Sequence, residues 1–254
     1  MNQTKILFSG VSGRMGKATR AAADASEQYK IVAGIDVVPS VDTLPVFQNP
    51  DDVNVEFDSI IDFSHHSATP GLLDFAIKRN VPIVICTTGH TEEETALIKA
   101  ASEKIPVFFS RNMSVGINLL IELAKTAAKV LGQDYDIEII EKHHNKKLDA
   151  PSGTALMIAD AVSDTVDFDA EYVYERQSKR EARGKNEIGI SAVRGGTIVG
   201  EHDIMFCGAD EIITISHSAR SKRVFAVGAI RAAKFLPKKQ AGMYEMKDLL
   251  AEEN

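Results

Sequence analysis

Five short apolar runs punctuate the first 110 residues, and they limit the possible fold more than any other feature of the chain. They are "KILFSG" (Lys5–Gly10), "KIVAGI" (Lys30–Ile35), "SIIDF" (Ser59–Phe63), "PIVIC" (Pro82–Cys86) and "PVFFS" (Pro106–Ser110). Each is apolar at successive positions rather than alternate ones, as expected of strands buried on both faces of a sheet. Between them lie helical patterns: "RMGKATRAAADAS" after the first run, then 67–79 and 91–104. This β-α-β-α alternation predicts an open parallel sheet covered by helices, and crossover handedness leaves few topologies.

The rhythm changes near Asn112. A longer helix pattern, "VGINLLIELAKTAAKVLG", precedes a strand run, "YDIEIIE" (Tyr135–Glu141). After one more helix pattern and a polar stretch of little periodicity (164–186), three strand runs follow closely: "EIGISAVR", "TIVGEHDIMFCG" and "EIITISHSA". Gly195-Gly196 and Gly208-Ala209 are expected turns between them. That is an antiparallel or mixed sheet, so a second domain is expected to begin near residue 113. The end of the chain, "SKRVFAVGAIRAAKFL" and "YEMKDLL", is helical again.

Composition excludes several function classes. With 36 acidic against 29 basic residues and a formal net charge of -7, the chain lacks the broad basic surface that a phosphate backbone requires, so no nucleic acid partner is expected. Its two cysteines, Cys86 and Cys207, lie far apart in apolar runs, which argues against a disulfide framework and for a reducing compartment. No run approaches the ~18–20 apolar residues of a membrane span, and the N-terminus reads as a strand rather than a signal peptide. A cytoplasmic protein with no membrane partner is the expectation.

The first strand run ends in "GVSGRMG", residues Gly10, Val11, Ser12, Gly13, Arg14, Met15 and Gly16. Glycines let a backbone turn sharply and approach a pyrophosphate, and the helix behind offers free N–H groups and a positive dipole end. The spacing G-x-x-G-x-x-G is weak alone. Its context is stronger: the loop follows a strand and opens a helix, and Asp36 ends the second strand, where a carboxylate accepts hydrogen bonds from a ribose 2′-OH. A dinucleotide site is favoured over a plain tight turn. A carboxylate followed by Val37 suits NADH at least as well as NADPH. The loops "CTTGH" and "SRNMSVG" leave later strands at the same sheet edge and are placed to meet the nicotinamide half. For His65 and His66, helix capping by Ser64 or Ser67 with solvated imidazoles is favoured over cofactor contact.

A second feature stands out against the acidic background. Two histidines and three lysines lie between Lys142 and Lys147, followed by "LDAPSGTALMIADAV". Neighbouring side chains of an extended segment point to opposite faces, so His143 and His144 are poorly placed to share a metal, and no metal is expected. Pro151 suits a helix start, and Ser152, Gly153 and Thr154 then offer backbone N–H groups and hydroxyls as an anion cradle. Lys142 and Lys146 read as solvated. Joined to a dinucleotide domain, a histidine, a lysine and a cradle fit hydride transfer to an anionic substrate, with the histidine supplying a proton.

These motifs, "GVSGRMG", "TTG", "NMSVG", "HHNKKLDAPSGTA", "VRGGTIVGEH" and "ITISHSARS…FAVGAIRAAKFL", make the chain resemble the dihydrodipicolinate (4-hydroxy-tetrahydrodipicolinate) reductase family over its whole length. The resemblance implies an α/β fold: a Rossmann-like dinucleotide-binding domain (1–113 with 219–254) and an α+β substrate and tetramerisation domain with an open mixed sheet (114–218). It implies NADH- or NADPH-dependent reduction of the dicarboxylate 4-hydroxy-tetrahydrodipicolinate in lysine and diaminopimelate biosynthesis, by a homotetramer. His143 falls on the family's general acid and Lys147 on its second catalytic position. His144, Ser152, Gly153 and Thr154 match the substrate-binding element. Gly10 to Met15, Asp36, Cys86, Thr87, Thr88, Ser110, Arg111, Asn112 and Met113 match cofactor-contact stretches.

Three positions depart from the family pattern. Cys86 replaces the first glycine of Gly-Thr-Thr-Gly, Asn145 stands where many members carry arginine, and Arg111 replaces a small residue or proline. Two other classes compete. An amino-acid or semialdehyde dehydrogenase has no catalytic reason for the Lys-x-Asp-Ala-Pro-Ser-Gly-Thr cradle, and the latter also needs a reactive cysteine, whereas both cysteines here lie in apolar runs. A nicotinamide-sensing regulator needs a basic recognition helix, and none is visible.

Overall fold

The structure, a computed structural model, describes residues 3–38 and 43–252. The chain divides into two compact units, Met1–Val115 with Lys222–Asn254, and Gly116–Ser221. The first unit begins β1 (Thr4–Ser9), α1 (Arg14–Asp24), β2 (Tyr29–Ile35), β3 (Val46–Phe47), β4 (Ser59–Asp62), α2 (Thr69–Arg79), β5 (Ile83–Ile85), α3 (Glu92–Ser102) and β6 (Pro106–Phe109). All of its strand pairs are parallel, in the order β6-β5-β4-β1-β2-β3. The chain runs from β1 to one edge and returns to the other side of β1 at β4. The loops after β1 and β4 therefore diverge at the switch point where open α/β sheets bind ligands.

Both faces of this sheet are covered, which explains the continuous apolar runs. Ile6 and Phe8 of β1 pack into one layer, and Leu7 between them packs into the other. Helix starts differ in a way that matters below. Thr91 and Glu94 form a reciprocal capping box on α3, whereas α1 begins at Gly13 with no side-chain cap.

The second unit holds α4 (Val115–Leu131), β7 (Asp136–His143), α5 (Gly153–Ser163), β8 (Glu171–Val173), β9 (Glu187–Arg194), β10 (Gly200–Cys207) and β11 (Ile212–Ala219). Its five-stranded sheet has the order β11-β10-β7-β9-β8 and is mixed: β7 runs parallel to β9 and antiparallel to β10. Ile137 and Ile139 of β7, Ile188 and Ile190 of β9, and Ile204 and Phe206 of β10 form one face, packed against α4 and α5.

Two sequence expectations change here. β8 lies inside the stretch read as polar and irregular, a three-residue edge strand too short to show a period. The segment Gly195-Gly196 does turn, with Gly196 at φ +48°, but it does not join neighbouring strands. It passes the end of β7, where Gly195 N–H donates to His143 O at 2.8 Å and Asn145 N–H to Gly196 O at 3.2 Å, and so carries the chain from one side of β7 to the other. The turn at Gly208 does close a hairpin, its N–H donating to Glu211 O.

The C-terminal segment completes the first unit. α6 (Arg223–Phe235) joins the layer of Phe8 and Val84, β12 (Gly242–Tyr244) pairs in parallel with β6 as a seventh strand, and α7 (Met246–Glu252) adds Leu249 to the same layer. Gly228 of α6 lies so close to Met113 that a Cβ there would sit 1.7 Å from Met113 O. The "NMSVG" loop is thus clamped by a helix from the far end of the sequence.

Candidate active site

In the first unit the glycine loop is built by close approach. Gly10 has φ +82°, and a Cβ on it would lie 2.6 Å from Phe63 O. A Cβ on Gly16 would lie 2.2 Å from Val11 O, so only glycine lets α1 start this close to the loop. Ser12 N–H donates to Asp36 Oδ2 at 2.9 Å, Val38 N–H donates to Asp36 Oδ1 at 3.1 Å, and Ser12 Oγ donates to Val38 O at 2.8 Å. The acid at the end of β2 is thereby drawn against the loop. Gly13 and Arg14 are exposed, Met15 is half-buried and Val11 is buried in the core. An uncapped helix start, a glycine cradle and an adjacent carboxylate fit a dinucleotide: the first two receive a pyrophosphate and the third a ribose.

The other two loops lie at the same edge. Asp62, fully buried at the end of β4, accepts from Ser64 N–H, Ser64 Oγ and Thr87 Oγ1. Cys86 packs in the core layer, where burial and then the Asp62 charge push its thiol well above the usual range. The thiol is therefore neutral and unreactive. Among the described residues only Asn80 has positive φ without being glycine, so Cys86 occupies its position without backbone strain. Thr88 and Arg111 are exposed. Asn112 is buried, its Oδ1 accepting from Ser114 N–H, and Ser110 Oγ donates to Asn112 O. His65, rather than a serine, caps the short 3₁₀ turn at residues 66–68. His65 is exposed, as expected of a solvated imidazole, whereas His66 is half-buried with its Nδ1 2.9 Å from the Glu94 carboxylate.

In the second unit β7 runs to His143 and its side chains alternate. Ile137, Ile139, Glu141 and His143 point inward, and Lys142 points outward, where it pairs with Glu201 and Asp203 rather than with solvent. β7 ends at His143, so His144 lies just beyond the strand. His144 is half-buried and Lys146 exposed. Lys147 Nζ pairs with Asp149 at 2.9 Å and holds that carboxyl below the usual range. Ser152 departs from the expected cradle. Its N–H donates to Glu141 Oε1, its Oγ accepts from Ala155 N–H as the cap of α5, and that Oγ also meets His202 Nε2 at 3.2 Å. In the first turn, Gly153 is exposed and a Cβ on it would meet nothing within 4 Å; Thr154 follows it and is half-buried. No group of three or more potential metal ligands occurs among the described residues.

Sequence reading missed the residues behind His143. Glu141, fully buried, lies 2.6 Å from His143 Nδ1 and accepts from both terminal nitrogens of Arg194 at 2.6 and 2.7 Å. Burial pushes the Glu141 carboxyl up, but the bonds from Arg194, His143 and Ser152 more than offset it and leave it below the usual range. His202 stacks edge-on to His143 at 5.3 Å, and burial depresses it to about 4. The available signal was the two-residue spacing of Glu141 and His143, which puts both on one face of a strand.

Comparisons with known proteins agree with this architecture. Residues 4–113 match the family model "Dihydrodipicolinate reductase, N-terminus", and residues 116–250 match "Dihydrodipicolinate reductase, C-terminus". The 4-hydroxy-tetrahydrodipicolinate reductase of Caldanaerobacter subterraneus subsp. tengcongensis is 52% identical over 97% of this chain and 98% of its own. The enzyme of the same name from Clostridium botulinum is 45% identical over 97% and 98%. A solved dihydrodipicolinate reductase of Paenisporosarcina sp. TG-14, bound to dipicolinate, shares the fold with TM-score 0.79 at 24% identity, covering 96% of this chain and 98% of that one. Two family models that together account for nearly every residue, with relatives this similar over their full lengths, place the chain in the dihydrodipicolinate reductase family, the NAD(P)H-dependent oxidoreductases that reduce 4-hydroxy-tetrahydrodipicolinate to tetrahydrodipicolinate in lysine and diaminopimelate biosynthesis.

Proposed function

We propose that His143 is the general acid of this reduction and that Lys147, His144, Gly153 and Thr154 hold the dicarboxylate substrate. The observation that carries the reading is the seating of His143: its Nδ1 is bonded to a buried carboxylate while 11% of its side chain remains open, so the ring is oriented yet reachable. A reduced nicotinamide, when bound, supplies the hydride. His143 supplies the accompanying proton. Lys147 and the first turn of α5 place positive charge and N–H groups against a substrate carboxylate. Lys147 pairs with the exposed Asp149 carboxylate, and exchanging that carboxylate for one of the substrate's would leave Lys147 paired.

In the first unit, Gly10 to Met15 cradle the pyrophosphate and Asp36 accepts from the adenosine ribose, which favours NADH at least as much as NADPH. Cys86 to Thr88 and Ser110 to Met113 border the nicotinamide half. The reading includes a cytoplasmic homotetramer formed through the second unit's sheet. It is supported by the sheet's outer face, where Val193 and Ile212 are 45% and 61% exposed and which neither α4 nor α5 covers. No described helix is long and apolar enough to cross a membrane.

The test generates the substrate in place from pyruvate and aspartate semialdehyde with the upstream synthase, then follows loss of NADH or NADPH absorbance. Synthase-dependent oxidation at comparable rates, or faster with NADH, is expected. A strong preference for NADPH would overturn the role given to Asp36, and a monomer in sedimentation would overturn the tetramer.

A further inference from the structure

We propose that Glu141 is a positioning residue for the reaction: it keeps one proton on Nδ1 of His143, so that the proton delivered to substrate leaves from Nε2, and Gly200 keeps that nitrogen clear. The proposal rests on the reading of His143 as the acid, and it adds the atom used and the residues that select it.

The geometry is unusually complete. Glu141 Oε2 receives His143 Nδ1–H at 2.6 Å and an Arg194 terminal nitrogen at 2.7 Å. Oε1 receives the other Arg194 terminal nitrogen at 2.6 Å and Ser152 N–H at 3.0 Å. Four donors converge on two oxygens, so the carboxylate acts only as an acceptor and the shared proton sits on the imidazole. Arg194 balances the Glu141 charge, and the same guanidinium donates to Asp149 O at 2.6 Å, tying the pair to the chain that leads into α5. The carboxylate thus acts on the ring through a directed bond rather than as a bare charge. A buried ion pair is a weak source of net stability compared with apolar packing, whereas its fixed geometry suits it to orienting a ring.

Two residues of β10 also face the ring. From β10, His202 faces His143 edge-on and is engaged with Ser152 Oγ. Also from β10, Gly200 faces Nε2: a Cβ there would lie 3.0 Å from it. Glycine at 200 leaves the room that any proton acceptor must enter. In the step itself, the N–H bond at Nε2 breaks as the substrate gains the proton. The neutral ring left behind still donates from Nδ1 to Glu141, and Nε2 regains a proton from water.

The experiment compares Glu141→Gln, His143→Gln and the double variant of the full chain in the synthase-coupled assay. Glu141→Gln is expected to lower kcat by about 10²-fold or more with KM within about twofold, since the amide can turn its NH₂ toward Nδ1 and invert the tautomer. The double variant is expected to match His143→Gln alone, because Glu141 acts only through that ring. Wild-type turnover in Glu141→Gln beside an inactive His143→Gln would overturn the proposal and leave the acid in place. An additive loss in the double variant would mean a merely structural role. Active His143→Gln would instead remove the acid itself. Should Glu141→Gln not fold, ¹⁵N–¹H spectra of the wild-type imidazole decide: a neutral ring protonated at Nε2 rather than Nδ1 overturns the assignment. Gly200→Ala is expected to lower kcat with NADH affinity unchanged, and full turnover there would dismiss the role of Gly200.

Discussion

The glycine loop and the His143 network solve opposite problems. Around Gly10–Gly16 the loop is shaped by the absence of Cβ atoms, α1 has no side-chain cap, and the Asp36 carboxylate takes the Ser12 N–H. Around His143 a buried carboxylate has four donors. A site that must receive a large anion is served by a helix start with no side-chain cap. A site that must place one proton uses its hydrogen bonds internally, so that a single ring has one orientation.

The sharpest way to break this comparison is His143→Gln, which should reduce turnover roughly 10²–10⁴-fold while leaving NADH affinity intact. Fluorescence titration of NADH beside the coupled assay separates the two effects, and a joint loss would mean the two sites are not independent. Next in size is the acid sensitivity of the second unit. His202 is neutral in the fold, depressed to about 4 from an unfolded value near 6.5. Its contribution is therefore complete above about pH 6.5 and lost as pH falls toward 4, a change on the order of 3 kcal/mol. Denaturant unfolding at pH 7 and 4.5 should show this loss, and His202→Gln should flatten it; an unchanged slope would place the acid sensitivity elsewhere.

Gly13→Asp tests the open site. It puts a carboxylate at the start of α1, where it competes with a bound pyrophosphate, and should weaken NADH binding about tenfold. Unchanged affinity would take the helix start out of cofactor binding. The smallest effect expected is on stability in Lys147→Ala: its partner Asp149 is largely exposed, so unfolding should hardly change. The Michaelis constant for substrate should rise instead, and an unaltered value would argue against a carboxylate anchor.

Much of the molecule was legible because its signals are local. Continuous apolar runs exposed the two-sided sheet, and the glycine loop with Asp36 at the end of the second strand was visible in a few residues. The misreadings share a cause. β8 and β12 are three-residue edge strands, too short for any period to emerge. β9 and β10 were taken for a hairpin because they adjoin in sequence, yet β7 lies between them. Lys142 was read as solvated because nothing nearby in the sequence pairs with it, whereas its partners lie on β10, some 60 residues on.

The sequence by itself determined the alternating β-α architecture, the glycine loop with its acid, and the basic stretch before α5. Spacing of apolar and special residues along the chain suffices for those. Only the tertiary structure decided that Ser152 turns inward to Glu141, that Cys86 is core, and that Arg194, 53 residues beyond Glu141, closes the network behind His143. Those outcomes depend on which strands become neighbours. Strand order is set by the packing of whole layers, not by any stretch short enough to read.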